Sequence, residues 1–250
     1  MTTAGELENI LFEIAPPSLA EEWDNIGVMV DSGKASDRIL FALDCTKEVL
    51  EEAEKMGCGI VVTHHPFIFH PLKKIVSNSA VYLAIQKDIS VLSVHTNYDA
   101  AENGVNRVLC ERIGLKDIYP CGNLGYSGYV GENPVSLQAF CRSLKESLNV
   151  GAVFAADGGV PVNKVMVVGG SGGDFLQDAI RNGCDTLLTG EAAHHEGIEA
   201  IVQGINLIYA GHYATENPSI PNLCMMVQER VGGLADCFVS VRNKDPFMQI

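Results

Sequence analysis

Positive charge is scarce in this chain. Lys and Arg number 17 against 31 Asp and Glu, a formal net charge of −14. Such a surface repels phosphate backbones unless it hides a basic patch, and the longest basic cluster is Lys73-Lys74. No nucleic-acid footprint is therefore expected. Long apolar runs are missing too. None reaches the roughly 18 residues of a membrane span, so no membrane partner is expected. The first fifteen residues are acidic and helix-like, with no basic stretch leading into an apolar run. A signal peptide is not expected there, and the expected compartment is the cytoplasm. No two of the eight cysteines form a C-x-x-C pair, and their tightest spacing is eleven residues. They read as reduced core thiols rather than redox or metal sites. There is no G-x-G-x-x-G and no Gly-Lys-Ser/Thr phosphate loop, and no cysteine stands in an obvious nucleophile setting, so covalent catalysis is disfavoured.

What is present points to a folded α/β protein. At 250 residues, with 47% hydrophobic and 19% charged residues, the chain can bury a sizeable core in one or two domains. Short runs rich in Val, Ile and Leu read as buried strands at Ile39–Leu43, Ile60–Val62, Val91–Val94, Val165–Val168, Thr186–Leu188, Leu207–Ala210 and Phe238–Val241. Helices are expected between them at Lys47–Met56, Asn103–Ile113, Ser136–Leu148 and Phe175–Arg181. Thr46 serves as an N-cap of the first, and Gly114 as a C-cap of the second. Alternation of this kind predicts sheets covered by helices. The segment Pro120–Pro134, with four glycines and two prolines, reads as a domain boundary or long connection. Gly169–Gly173 follows a strand and opens a helix. A tight turn is favoured there over an anion cradle, because Asp174 would cap the amides itself.

The histidines carry the chemistry. His64 and His65 follow one expected strand in Thr-His-His-Pro, His95 follows another, and His212 a third. In open α/β sheets, ligands bind outside the carboxyl ends of strands. Adjacent His64 and His65 would face opposite sides of an extended strand and could serve two different metals. His212 and Glu216 are four residues apart, on one face of a helix if one starts there. Asp99 lies four residues beyond His95. Three imidazoles and two carboxylates suffice for a dinuclear site of Zn, Mn, Fe, Co or Ni with open water positions. His95 reads either as a direct ligand or as a group orienting one. His70 and His194 read as ordinary packed or surface residues.

These residues sit within motifs that resemble the NIF-three-like family, whose members are known as GTP cyclohydrolase I type 2 homologs. The motifs are Trp23-Asp24-Asn25-Ile26-Gly27, Thr63-His64-His65-Pro66, His95-Thr96-Asn97-Tyr98-Asp99, Thr189-Gly190-Glu191 and Gly211-His212-Tyr213-Ala214-Thr215-Glu216. The resemblance implies a NIF-three-like fold of two interlinked α/β domains with mostly parallel sheets. The first domain, 1–122 with 207–250, would carry the metal ligands, and the second would be 123–206. It implies two divalent ions per chain: His64 with His212 on one, His65 with Asp99 on the other, and Glu216 as the bridge. His195 would line the pocket, and His95 or His195 would transfer protons. It also implies a homohexamer acting on a small molecule, with a nucleotide among the candidates. The expected function is a dinuclear metal-dependent hydrolase of GTP cyclohydrolase type. The alternatives are phosphoester or cyclic-amide hydrolysis, or a non-catalytic metal-binding scaffold. Arg38, Lys73, Lys74, Arg107 and Arg181 are the few cations available for a triphosphate, and no motif brings them together.

Overall fold

The computed structural model describes residues 1–248. The chain divides into two compact units: Met1–Ala101 with Ile220–Lys244, and Glu102–Ser219 with the residues from Asp245 on. In chain order the first unit contains α1 (Ala4–Ile14), β1 (Gly27–Val30), β2 (Arg38–Ala42), α2 (Lys47–Met56), β3 (Ile60–Thr63), α3 (Ala80–Gln86), β4 (Ser90–Ser93) and α4 (Thr96–Ala100). The second contains α5 (Val105–Arg112), β5 (Lys116–Cys121), β6 (Gly125–Tyr129), α6 (Leu137–Leu148), β7 (Phe154–Ala156), β8 (Lys164–Val168), α7 (Leu176–Arg181), β9 (Thr186–Thr189), α8 (His194–Gln203), β10 (Asn206–Tyr209) and α9 (His212–Glu216). The chain then returns to the first unit with α10 (Ile220–Val231) and β11 (Asp236–Val239). All seven strands expected from the sequence are present, within two residues at each end.

The first unit is a five-stranded sheet in the order β1-β4-β3-β2-β11, parallel except for β1. Helices α2 and α3 cover one face, where Leu40, Val61 and Val91 pack against Val49, Leu50, Ala53 and Ala84. Helix α2 is set by its ends. Thr46 accepts the Val49 amide, and Gly57 closes the helix in the left-handed region at φ 72°. The second unit is a six-stranded sheet in the order β5-β6-β8-β9-β10-β7. Its middle is parallel (β8-β9-β10), but β5, β6 and β7 pair antiparallel. This sheet is therefore mixed rather than mostly parallel. One of its faces packs on α5 and α6 through Leu109, Phe140 and Leu144, and the other buries Met166, Leu176, Ala179 and Leu187.

Two expectations need correction. Pro120–Pro134 is no linker, since it contains β6, buried between β5 and β8. Its glycines are there for close approach, not for flexibility. A Cβ on Gly128 would lie 2.8 Å from the Lys116 carbonyl oxygen and 3.0 Å from Leu115 Cβ. Overpacking of that kind costs about 2 kcal/mol, so Gly128→Ala should lower the unfolding free energy by that amount, seen as a lower denaturant midpoint at an unchanged slope. The chain also crosses between units at Glu102 and Ile220, rather than near 122 and 207. Helix α5 and Leu115 belong to the second core, and β10 hydrogen-bonds to β9. That assigns His212 and Glu216 to the second unit, whereas the sequence reading gives every ligand to the first.

Candidate metal centre

Three adjacent parallel strands, β2, β3 and β4, end on the same side of the first sheet, and each delivers a side chain there. The chain bends just past β3. The His64 amide reaches the Ala42 carbonyl at 3.3 Å, and the His65 amide the Leu43 carbonyl at 3.0 Å. These bonds hold both residues beside the end of β2, with neighbouring rings 5.1 Å apart. His64 is fully buried, and the side chain of His65 is 25% exposed. His95 follows β4 as the residue before α4, which carries Asp99 on its first turn. Rings 64 and 95 lie 5.3 Å apart, and rings 65 and 95 lie 5.9 Å apart.

All three imidazoles are oriented in the same way. His64 Nδ1 donates to the Val94 carbonyl at 2.9 Å. His65 Nδ1 donates to Asp44 Oδ1 at 2.7 Å, and His95 Nδ1 to Asp24 Oδ1 at 2.8 Å. A carbonyl or carboxylate acceptor fixes the proton on Nδ1, so the lone pair falls on Nε2. This is how metal-binding histidines are held. His64 Nε2 is 3.5 Å from Asp99 Oδ1, and ligand atoms of His64, His95 and Asp99 all lie within 4.8 Å of one another. Two imidazole nitrogens and a carboxylate oxygen suit a borderline divalent ion.

The orienting carboxylates are themselves secured. Burial works against the charge on Asp24, but hydrogen bonds from His95 and Thr96 outweigh it and bring its pKa down to about 2. Thr96 donates to Asp24 Oδ2 from its amide at 3.0 Å and from its hydroxyl at 2.5 Å. Asp44 lies just past β2, where Asn243 Oδ1 accepts the Leu43 and Asp44 amides at 2.7 and 3.3 Å. The Asn243 loop is anchored in turn by Glu52, whose carboxylate accepts the Ser240 hydroxyl and the Val241 amide.

The second unit holds the other two sequence-predicted ligands. After β10, Gly211 at φ 101° turns the chain directly into α9, so the helix does begin at His212. His212 and Glu216 share its face, with Nε2 and Oε2 3.0 Å apart. His212 Nδ1 lies 3.2 Å from Glu191 Oε1. The Gly169–Gly173 segment is a tight turn in which three of the five amides are already used. Gly169 donates to Asn106 Oδ1, Gly170 to Thr215 Oγ1 and Gly172 to Thr189 Oγ1. Its glycines give Glu216 room, since a Cβ on Gly170 would lie 2.1 Å from Glu216 Oε1. His195 is exposed on the first turn of α8. Beside that helix lies a groove of about 420 Å³, lined by His194, Phe154, Ile198 and Tyr209 rather than by His195.

A family model described as Duf34/NIF3 (NGG1p interacting factor 3) matches residues 2–246. The chain belongs to the Duf34/NIF3 family. Relatives from Clostridium perfringens and Clostridium acetobutylicum, each named GTP cyclohydrolase 1 type 2 homolog, are 34% and 31% identical, with 97% of both chains covered in each case. The crystal structure of Staphylococcus aureus hypothetical protein SA1388 is similar at a TM-score of 0.91 and 27% identity, covering 100% of this chain and 99% of that one. A Bacillus cereus protein related to NIF3 gives a TM-score of 0.91 at 22% identity over the same shares, a likeness of fold. As a Duf34/NIF3 protein, the chain carries three carboxylates that the sequence reading did not assign: Asp24, Asp44 and Glu191. Asp44 stands at a strand end, so the rule that located the histidines would have located it as well. Asp24 and Glu191 lie inside recognised motifs, but only the fold brings them against His95 and His212. Among the described residues, no helix is long and apolar enough to cross a membrane.

Proposed function

We propose that this protein is a dinuclear metal-dependent hydrolase of a small molecule, with His64, His65, His95, Asp99, His212 and Glu216 as donors. The observation that carries the reading is the common orientation of His64, His65 and His95, each with Nδ1 held by an oxygen acceptor and the Nε2 lone pair turned away from it. The donor set fits divalent Zn, Mn, Fe, Co or Ni. When bound, two such ions supply Lewis acidity and activate water at neutral pH.

The geometry supports two additions to the pairing that the family resemblance implies. Asp99 also stands beside His64, and His95 stands with His64 and Asp99. His95 is then a ligand, and proton transfer falls to His195, whose imidazole is exposed. Glu216 remains the proposed bridge, with its carboxylate packed against the Gly169-Gly170 turn and beside His212. Asp24, Asp44 and Glu191 hold imidazoles in place. GTP is the candidate substrate from the relatives' names, and a homohexamer is the proposed assembly.

The test measures metal content and nucleotide turnover on one preparation, wild type beside Glu216→Ala. Expected are about two ions per chain and hydrolysis in the wild type, with both reduced in the variant. Metal without turnover of nucleotides, phosphoesters or cyclic amides would move the reading to a metal-binding scaffold. An absence of metal after loading with Zn, Mn or Fe would overturn it.

A further inference from the structure

Trp23 is the only tryptophan in the chain, and it is 59% exposed. Phe69 beside it is 43% exposed. Their ring centroids are 5.7 Å apart and the planes are inclined at 55°. Both rings meet His95 edge-on, Trp23 at 6.1 Å and Phe69 at 6.2 Å. An open V of two aromatic rings therefore stands directly on one of the proposed metal-binding imidazoles.

The V is built, not incidental. Residues 21–25 form a turn closed by the Asp24 amide on the Glu21 carbonyl at 3.0 Å. The Glu21 amide reaches Thr96 Oγ1 at 3.0 Å, and the Asp24 carboxylate bonds His95 and Thr96 on the far side of the turn. Asn25 Nδ2 donates to the Ile68 carbonyl at 2.5 Å, which ties the Trp23 turn to the segment carrying Phe69. The Ile68 amide is held in turn by Met29 Sδ at 3.2 Å. The three residues of Trp23-Asp24-Asn25 thus divide the turn between them. Asp24 grips His95, Asn25 grips the Phe69 segment, and Trp23 is left presenting a ring. Scattered exposed apolar residues need no explanation. Two fixed, adjoining aromatic rings at the edge of a polar cluster are the arrangement of a ligand subsite.

We infer that Trp23 and Phe69 form a stacking subsite for a planar heteroaromatic ring of the ligand, placed beside His95. The inference rests on the metal-site reading and narrows it to ligands with a flat conjugated ring. Phosphoesters without such a ring would gain nothing from the V. Aromatic pairs prefer offset or edge-on arrangements, and stacking on such side chains tolerates many ring types.

Trp23 is its own reporter, because it is the only indole present. Metal-loaded and chelator-treated protein are titrated with guanosine, adenosine, nicotinamide and ribose, and the tryptophan emission is read. Metal content is measured on the same samples, and binding to Trp23→Ala is followed by calorimetry. The expected result is red-shifted emission open to acrylamide, quenched saturably by at least one planar compound and not by ribose. Phe69→Ala and Trp23→Ala should each weaken that binding about tenfold with metal content unchanged. Saturable quenching in protein that takes up no metal would uphold the subsite while the metal reading fails. Intact metal content with no saturable quenching by any planar compound would overturn the subsite alone. Blue-shifted emission closed to acrylamide, the sign that another copy or partner covers the rings, would overturn it as well.

Discussion

Alanine in place of His64 should leave a folded protein that no longer holds metal at this position. The imidazole is fully buried, donates to the Val94 carbonyl and lies 3.5 Å from Asp99. Truncation costs the hydrogen bond to Val94 and opens a small void, about 1–3 kcal/mol in all. Small domains have about 5–15 kcal/mol in hand, so circular dichroism should report the wild-type fold with a modestly lower Tm. The metal is a different matter. Removing a group that merely orients a ligand weakens affinity about 10–100-fold, and removing the ligand itself should exceed that. His64 is also the imidazole grouped with both His95 and Asp99, so its loss leaves that cluster with one nitrogen and one carboxylate. Elemental analysis after dialysis is expected to show at least one ion lost per chain. His70→Ala, on the exposed loop beyond Pro66, should lose none. Full metal content in the His64 variant would show that the buried imidazole is a packing residue.

The histidines were legible in the sequence because they follow strands that are themselves easy to read. The strand β3, Ile-Val-Val-Thr, is buried at all four positions, and His64 falls where its apolar run stops. The same holds for His95 after β4 and, one glycine later, for His212 after β10. The local signal was good enough to place Glu216 one helical turn beyond His212. It failed for strands without an apolar run. β5, Lys-Asp-Ile-Tyr-Pro-Cys, is a largely exposed edge strand that tolerates a proline. β6, Gly-Tyr-Ser-Gly-Tyr, is buried but built around two glycines, which read as loop until the neighbouring backbone that requires them is known. The orienting carboxylates were hidden for another reason. Asp24 is 71 residues from His95 in the chain, and no local spacing encodes that pairing. The unit boundaries were missed through the same blind spot, because helix α5 reads alike whichever core it packs on.

Gly190 should prove to be among the costliest positions in the second unit to fill. The motif Thr189-Gly190-Glu191 follows an expected strand in the sequence, and the structure makes it the frame of His212. Thr189 Oγ1 accepts the Gly172 amide at 2.8 Å and donates to the Gly170 carbonyl at 3.0 Å. The Glu191 amide reaches that carbonyl at 2.8 Å, while its carboxylate takes Ser171 Oγ at 2.8 Å and faces His212 Nδ1. Between them, the Gly190 carbonyl accepts the Gly211 amide at 2.9 Å, which starts the turn into α9. A Cβ at 190 would stand 2.6 Å from Thr215 Oγ1, 2.7 Å from the Gly170 carbonyl and 2.8 Å from His212 Cα. Two of those three atoms are backbone and cannot rotate away, so the turn holding Glu216 and the start of α9 must move apart. Overpacking against backbone lies at the upper end of its range, so Gly190→Ala should cost about 3 kcal/mol, a fall of about 10 °C in Tm for a chain of this size. His212 and Glu216 would be displaced by the same movement, so metal affinity should fall with stability, although no donor atom has been removed. Gly183→Ala is the control. Gly183 also has positive φ, at 66°, but a Cβ there meets nothing within 4 Å. Its cost should be limited to left-handed backbone strain of about 1 kcal/mol, with metal content unchanged. Equal losses of stability in the two variants, with metal retained in both, would reduce Gly190 to an ordinary turn residue. The larger loss, joined to a fall in metal content, would identify close backbone approach as what holds His212 in place.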